Sequence, residues 1–183
     1  MNPVLNAIAE RNSCRNFSPT PLSENDINAL VNAALAAPSA MNLQPWHIIV
    51  VTNKPLLEEM DNHAMETLKA QNPEGYTRMM DRGGTIFYNA PCVIFIAKND
   101  SKFATLDAGI VSQNITLAAH SLGLGSVICA MANIPLTGTK GARFLNEIKM
   151  PEGYEFGMAV CVGAPITGKA PHELDPAKVT YIS

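Results

Sequence analysis

The sequence is short of charge, and this shortage limits what the chain can bind. Charged residues make up 16% of the 183 residues, against about 25% in an ordinary soluble domain, while hydrophobic residues make up 47%. We therefore expect more apolar surface than usual to be hidden, as oligomerisation would hide it. The formal net charge is -3 and no basic block occurs, which argues against a nucleic-acid partner.

Closely spaced cysteines and long apolar runs are missing as well. The four cysteines, Cys14, Cys92, Cys129 and Cys161, show no Cys-x-x-Cys or Cys/His ligand spacing, so no metal site is predicted and a reduced, cytoplasmic protein is expected. No stretch approaches the roughly 20 apolar residues of a membrane span, and the first nine residues lack the pattern of a signal peptide. Without repeats or linkers, residues 1–183 are predicted to form one domain.

Helical and strand patterns are mixed along the chain. Helices are predicted where caps precede apolar residues at helical spacing: from Pro3 to about Arg11, from Ser23 to Pro38, from Asn53 to Gln71, from Leu106 to Leu122 and from Ala142 to Lys149. Strands are predicted over Trp46–Thr52, Cys92–Ala97, Val127–Met131, Glu155–Gly163 and Lys178–Ile182. Because the patterns do not alternate regularly, they favour an α+β arrangement of sheet and helices.

The most informative stretch joins the second helix to the first strand. It reads Pro38-Ser39-Ala40-Met41-Asn42-Leu43-Gln44-Pro45-Trp46, which places a hydroxyl and two carboxamides beside a large aromatic ring. Such a loop is suited to hold a flat heterocycle, although two prolines are also typical of a plain connection. The order of these residues resembles the signature loop of the nitroreductase family of FMN-dependent oxidoreductases.

A second resemblance lies where the first helix ends, in Arg11-Asn12-Ser13-Cys14-Arg15-Asn16-Phe17. The segment is similar to the Arg-x-Ser-x-Arg/Lys-x-Phe pattern of nitroreductases. Guanidinium groups form forked bonds to phosphate oxygens, and a serine hydroxyl with nearby N–H groups completes an anion site. Two solvated arginines at a helix end are the plain alternative. Further similarities are Ala90-Pro91 before a strand and the segment from Asp107 to Ser126.

The resemblance runs from Glu10 to the tail and implies a nitroreductase-like fold, in which helices flank a central, mostly antiparallel sheet in an intertwined homodimer. It also implies FMN at each subunit interface. Carried over position by position, the cofactor-binding residues are Arg11, Asn12, Ser13, Arg15, Pro38, Ser39, Ala40, Asn42, Ala130, Met131, Lys169 and His172.

The resemblance gives each group of residues a role. Arg11 and Ser13 would hold the FMN phosphate, with added charge from Lys169 and His172, and Asn12 would contribute its backbone. Arg15 would face N1 and O2 of the flavin. The loop from Pro38 to Asn42 would come from the opposite subunit, and the backbone at Ala130 and Met131 would approach flavin N5.

The implied activity is that of an FMN-dependent NAD(P)H oxidoreductase. NADH or NADPH would reduce the flavin, and a nitroaromatic, quinone or similar small-molecule acceptor would then take the electrons, with ping-pong kinetics. No catalytic side chain is predicted, since the flavin carries the chemistry. Two alternatives stay open: another reductive flavin chemistry such as dehalogenation or flavin breakdown, and an FMN-binding or sensing module with little turnover. Phe87 and Tyr88 either line the substrate pocket or belong to the core.

Overall fold

The computed structural model describes residues 2–182. The helices are α1 (Pro3–Glu10), α2 (Glu24–Leu35), α3 (Lys54–Gln71), α4 (Pro73–Met80), α5 (Ala104–Ser121), α6 (Ile134–Thr137) and α7 (Gly141–Glu147). The strands are β1 (Trp46–Val51), β2 (Cys92–Lys98), β3 (Gly125–Ile128) and β4 (Glu155–Gly163). Within residues 2–182, every helix is too short or too polar to cross a membrane.

Side-chain caps explain where α1 to α4 begin; the starts of α1, α2 and α3 were predicted, whereas α4 was not. Asn2, Ser23, Asn53 and Asn72 each accept a backbone N–H from two or three residues further on, at 2.9–3.2 Å. Each cap satisfies a donor that the first helical turn leaves free, and a proline in the first turn of α1, α3 and α4 needs no such partner. These local signals fix the starts of α1 to α4.

The four strands form one sheet in the order β1-β2-β4-β3, and all three pairings are antiparallel. Alternate residues of β2 pack on opposite faces: Val93 and Phe95 join the core under α3, α4, α6 and α7, whereas Cys92, Ile94 and Ile96 join the core under α2 and α5. Both faces are therefore covered, which explains the continuous apolar sequence of β2. The predicted α+β fold with an antiparallel sheet is confirmed.

Two predicted strands differ from those observed. The strand predicted over Val127–Met131 is β3 and ends at Ile128, because Ala130–Asn133 form a 3₁₀ turn that leads into α6, which was not predicted. The first strand ends at Val51, and its middle is only half-buried because it lies at the edge of the sheet. An apolar run alone cannot separate a strand from a packed turn, or an edge strand from a central one.

The strand predicted over Lys178–Ile182 is not formed within the single chain. Residues Pro176–Lys178 form a 3₁₀ turn, and Tyr181 and Ile182 are 91% and 96% exposed. A strand requires a neighbour for its hydrogen bonds, and residues 2–182 of one chain provide none at this place. In contrast, Phe87 and Tyr88 are 1% and 7% exposed and pack in the core, which decides between the two alternatives for them.

Candidate functional site

A cavity of about 200 Å³ lies between the end of α1 and the C-terminal tail. The residues that line it are Arg11, Asn12, Ser13, Arg15, Lys169, Ala170, Pro171 and His172. The structure thus brings together all the residues predicted to hold the phosphate, as well as Arg15. Ala170 and Pro171 also line the cavity, and no sequence signal pointed to them.

The extended backbone after α1 explains why these side chains share one cavity. The helix ends as the Arg11 N–H donates to the Ala7 carbonyl at 3.0 Å, and the chain then runs beside β3 through a parallel bridge between Ser13 and Ser126. In an extended segment, alternate side chains point to one side. Ser13 and Arg15 accordingly line the cavity, while Cys14 between them is buried.

Backbone hydrogen bonds join the C-terminal tail to the same segment. The Ser18 N–H donates to the Ala164 carbonyl at 2.8 Å, and the Ile166 N–H donates to the Asn16 carbonyl at 3.1 Å. A bridge between Phe17 and Pro165 continues this pairing. The chain leaving β4 is thereby led past the arginines, which brings Lys169 to the cavity from more than 150 residues away in sequence.

The cavity has a strong excess of positive charge. Three of its lining residues, Arg11, Arg15 and Lys169, are cations, and none of the lining residues is acidic. Within residues 2–182, no carboxylate lies within ion-pair distance of these three cations. The Arg11 Nε atom is buried and donates to no acceptor in that part of the chain. A buried charged donor without an acceptor is costly, so the site fits a bound anion such as a phosphate.

A second cavity, of about 240 Å³, shares Arg11 and Asn12 with the first. It extends to the last turn of α5, where His120 Nε2 lies 3.6 Å from Glu10 Oε2. Gly125 forms part of its wall, and a Cβ atom there would lie 2.9 Å from both Cβ and Sγ of Cys14. Only glycine therefore allows β3 to approach the segment that carries the two arginines.

The loop that contains Pro38, Ser39, Ala40 and Asn42 lines neither of these two cavities within one chain. The Ala40 N–H donates to Oδ1 of Asp107, in the first turn of α5, at 3.2 Å. The second cavity touches His120, in the last turn of the same helix. At about 1.5 Å per residue, the two ends of α5 are separated by about 20 Å. The first cavity, called the cation-lined cavity from here on, shares Arg11 and Asn12 with the second. The loop and the cation-lined cavity of one chain therefore lie toward opposite ends of α5.

Ala130 and Met131 lie directly after β3, in a 3₁₀ turn. Because the bridge between Ser13 and Ser126 is parallel, the chain leaving Ser13 and the chain leaving Ser126 run in the same direction along one sheet edge. Ala130 and Met131 do not line the cation-lined cavity, which Arg15 does line.

Asp61 is a half-buried carboxylate that the sequence prediction missed. Its Oδ1 atom accepts the N–H groups of Ile86 and Phe87 at 2.7 and 3.2 Å, and burial raises its pKa to about 6. Asp61 follows Met60, a core residue on the apolar side of α3. An acidic residue is unusual at such a place, and this was the sequence signal that could have revealed Asp61. Through these hydrogen bonds, the carboxylate connects the segment before β2 to α3.

Comparison with known proteins gives a consistent result. The model described as the Nitroreductase family matches residues 8–164. A crystal structure of a nitroreductase with bound FMN from Desulfitobacterium hafniense DCB-2 is 40% identical, with a TM-score of 0.96 and complete coverage of both chains.

Curated relatives are more distant. A protein of Methanothermobacter thermautotrophicus with the provisional name NADH dehydrogenase/NAD(P)H nitroreductase is 36% identical over 129 residues, which are 68% of this chain and 59% of that protein. An NADPH-flavin oxidoreductase of Vibrio harveyi is 27% identical over 169 residues, 90% of this chain and 67% of that protein. The chain thus spans about three fifths to two thirds of these relatives.

Proposed function

The chain belongs to the nitroreductase family, and from that premise we propose that it is an FMN-dependent oxidoreductase that transfers electrons from NADH or NADPH to a small-molecule acceptor. Support comes from the FMN-bound nitroreductase that matches the whole chain and from the relative named NADPH-flavin oxidoreductase. The observation that carries the proposal is the cation-lined cavity, in which the buried Arg11 Nε has no acceptor among residues 2–182.

In this proposal, the cation-lined cavity holds the FMN phosphate. Arg11 provides a forked donor and Lys169 a mobile point charge, and the Ser13 hydroxyl adds a neutral donor. The backbone of Asn12 and the side chain of His172 complete the lining. Because no carboxylate of residues 2–182 lines the cavity, the attraction for a dianion is not offset by negative charge from that part of the chain.

FMN, when bound, supplies the redox chemistry by accepting a hydride from the nicotinamide and passing electrons to the acceptor. Arg15 is the cation that we assign to the N1 and O2 side of the flavin, where it would favour added negative charge. The backbone at Ala130 and Met131 is assigned to N5. Since donor and acceptor use one pocket in turn, ping-pong kinetics are expected. A nitroaromatic or quinone is the expected acceptor class.

The proposed active unit is a homodimer, in which the Pro38–Asn42 loop of one subunit covers the flavin held by the cavity of the other. The loop and the cavity lie at opposite ends of α5 in one chain. A two-fold axis would bring the loop of each subunit to the cavity of the other subunit. Exposed apolar residues are available for such an interface: on α1, Val4, Leu5 and Ile8 are 50–61% exposed, and on α5, Leu106 is 68% exposed. Covering them would provide the association energy.

The exposed tail fits the same assembly. Strand β1 lies at a sheet edge, and a groove of about 440 Å³ runs beside residues 47–53. An open edge carries unpaired N–H and C=O groups. We propose that residues 178–182 form their strand against the sheet of the partner subunit.

The proposal is tested by purifying the protein, adding FMN and removing the excess by gel filtration. The expected result is a yellow dimer that oxidises NADH or NADPH in the presence of a quinone or nitroarene, with parallel double-reciprocal plots. A yellow dimer without turnover would favour the FMN-binding module instead. A colourless monomer that does not retain FMN would refute the proposal.

A further inference from the structure

The Pro38–Gln44 loop is held in a conformation that its residues do not favour. Met41, Asn42 and Gln44 have φ angles of 53°, 54° and 47°. These angles lie in the left-handed region, which residues other than glycine rarely adopt. Such backbone persists only where neighbouring groups fix it. The loop closes on itself because the Gln44 N–H donates to the Ser39 Oγ at 2.9 Å and the Asn42 N–H donates to the Ser39 carbonyl at 3.1 Å.

These internal bonds shape the loop but do not attach it to the rest of the chain. That attachment comes from α5. Asp107 is 4% exposed, and its Oδ1 atom accepts the Ala40 N–H at 3.2 Å across 67 residues of sequence. A charged acceptor makes this bond stronger than a neutral one. The carboxylate lies in the first turn of α5, where the helix dipole favours negative charge.

A second contact from the same face of α5 supports this arrangement. Asn114, two turns after Asp107, donates from Nδ2 to the Ala33 carbonyl in α2 at 3.0 Å, and residues seven apart lie on one side of a helix. Asn114 thus fixes the end of α2, and Asp107 fixes the loop that follows it. The sequence carries both residues in the segment from Asp107 to Ser126, without indicating what they do.

We infer that Asp107 is a positioning residue for the active site: its carboxylate fixes the Ala40 N–H and thereby holds the Pro38–Gln44 loop in the shape that covers the flavin of the partner subunit. The inference about the loop shape rests on the contacts above, and its effect on FMN rests on the proposed function. Asp107 itself does not touch the cofactor in this scheme.

The test measures the loop directly by hydrogen exchange of a peptide covering residues 38–44, in the dimer with and without FMN. The variants are Asp107→Ala, Asp107→Leu, which keeps the branched shape but has no acceptor, and Asp107→Asn, whose Oδ1 atom can accept the same N–H. Ser112→Ala is the matched control, because Ser112 is buried in α5 and its Oγ donates to the Ala108 carbonyl of its own helix at 2.7 Å.

Loss of a hydrogen bond to a charged group predicts at least about a tenfold rise in loop exchange and in the Kd for FMN for the Ala and Leu variants. Asp107→Asn should stay within about threefold of the native protein in both measurements, since a bond of this kind remains. Ser112→Ala should lower thermal stability and leave loop exchange and FMN binding unchanged.

Two results would overturn the inference: native loop exchange in a folded Asp107→Ala or Asp107→Leu variant, or an Asp107→Asn variant as impaired as those two. If the native protein fails to bind FMN, the proposed function fails, while the exchange measurement without FMN still decides the role of Asp107 in the loop.

Discussion

Replacing Asp61 by asparagine is expected to raise the free energy of unfolding at neutral pH. Burial raises the pKa of this carboxyl from its usual 3.8 to about 6 in the folded chain. Below pH 3.8 the group is protonated in both states and its contribution to stability is fully present, and this contribution is lost as the pH rises through about 6. At about 1.4 kcal/mol per pH unit, the loss amounts to as much as about 3 kcal/mol.

Asparagine should remove this pH-dependent loss of stability and keep the hydrogen bonds that the carboxylate accepts. Both N–H groups, from Ile86 and Phe87, reach the same oxygen, Oδ1, which an amide retains. The amide nitrogen can donate to the Thr85 hydroxyl, which lies near enough to the carboxyl to lower its pKa. Alanine should act in the opposite direction, because it leaves two backbone donors without an acceptor, at about 1–3 kcal/mol each.

The assay is chemical denaturation of the native, Asp61→Asn and Asp61→Ala proteins between pH 4 and pH 8, at fixed protein concentration and saturating FMN. The advantage of Asp61→Asn over the native protein should be small at pH 4 and should grow to its full size by pH 7. Asp61→Ala should be the least stable of the three at pH 4. A difference between Asp61→Asn and the native protein that does not change with pH would refute the reasoning.

Three further predictions concern the proposed cofactor site and the strand beside it. Arg11→Ala removes charged hydrogen bonds of about 1.5–3 kcal/mol and should weaken FMN binding roughly 10- to 150-fold in a fluorescence titration; unchanged affinity would remove Arg11 from the site. Arg15→Ala should lower the flavin reduction potential in a potentiometric titration, and an unchanged potential would contradict its place near N1. Gly125→Ala should cost about 1–3 kcal/mol by thermal unfolding, since its Cβ would clash with Cys14. An unaltered Tm would show that this contact relaxes easily.

The sequence predicts what depends on neighbours along the chain. A cap such as Ser23 marks a helix start because it binds an N–H only three residues further on. Ser13 and Arg15 are two residues apart, so both side chains point to one side when the segment is extended. The roles of Asp61 and Asp107 were not predicted because their partners lie 25 and 67 residues away. No local pattern reveals such contacts, and a strand like that predicted at residues 178–182 needs a surface that one chain does not supply.

The separation of the loop and the cation-lined cavity along α5 has a genetic consequence. In the proposed homodimer, a mixed pair of one Arg11→Ala subunit and one Asp107→Ala subunit would have one composite pocket with both substitutions and one with neither. Two impaired alleles expressed together should therefore complement each other. Random pairing makes about half of the dimers mixed, and one of the two pockets in each mixed dimer is intact, so about a quarter of the normal flavin content is expected.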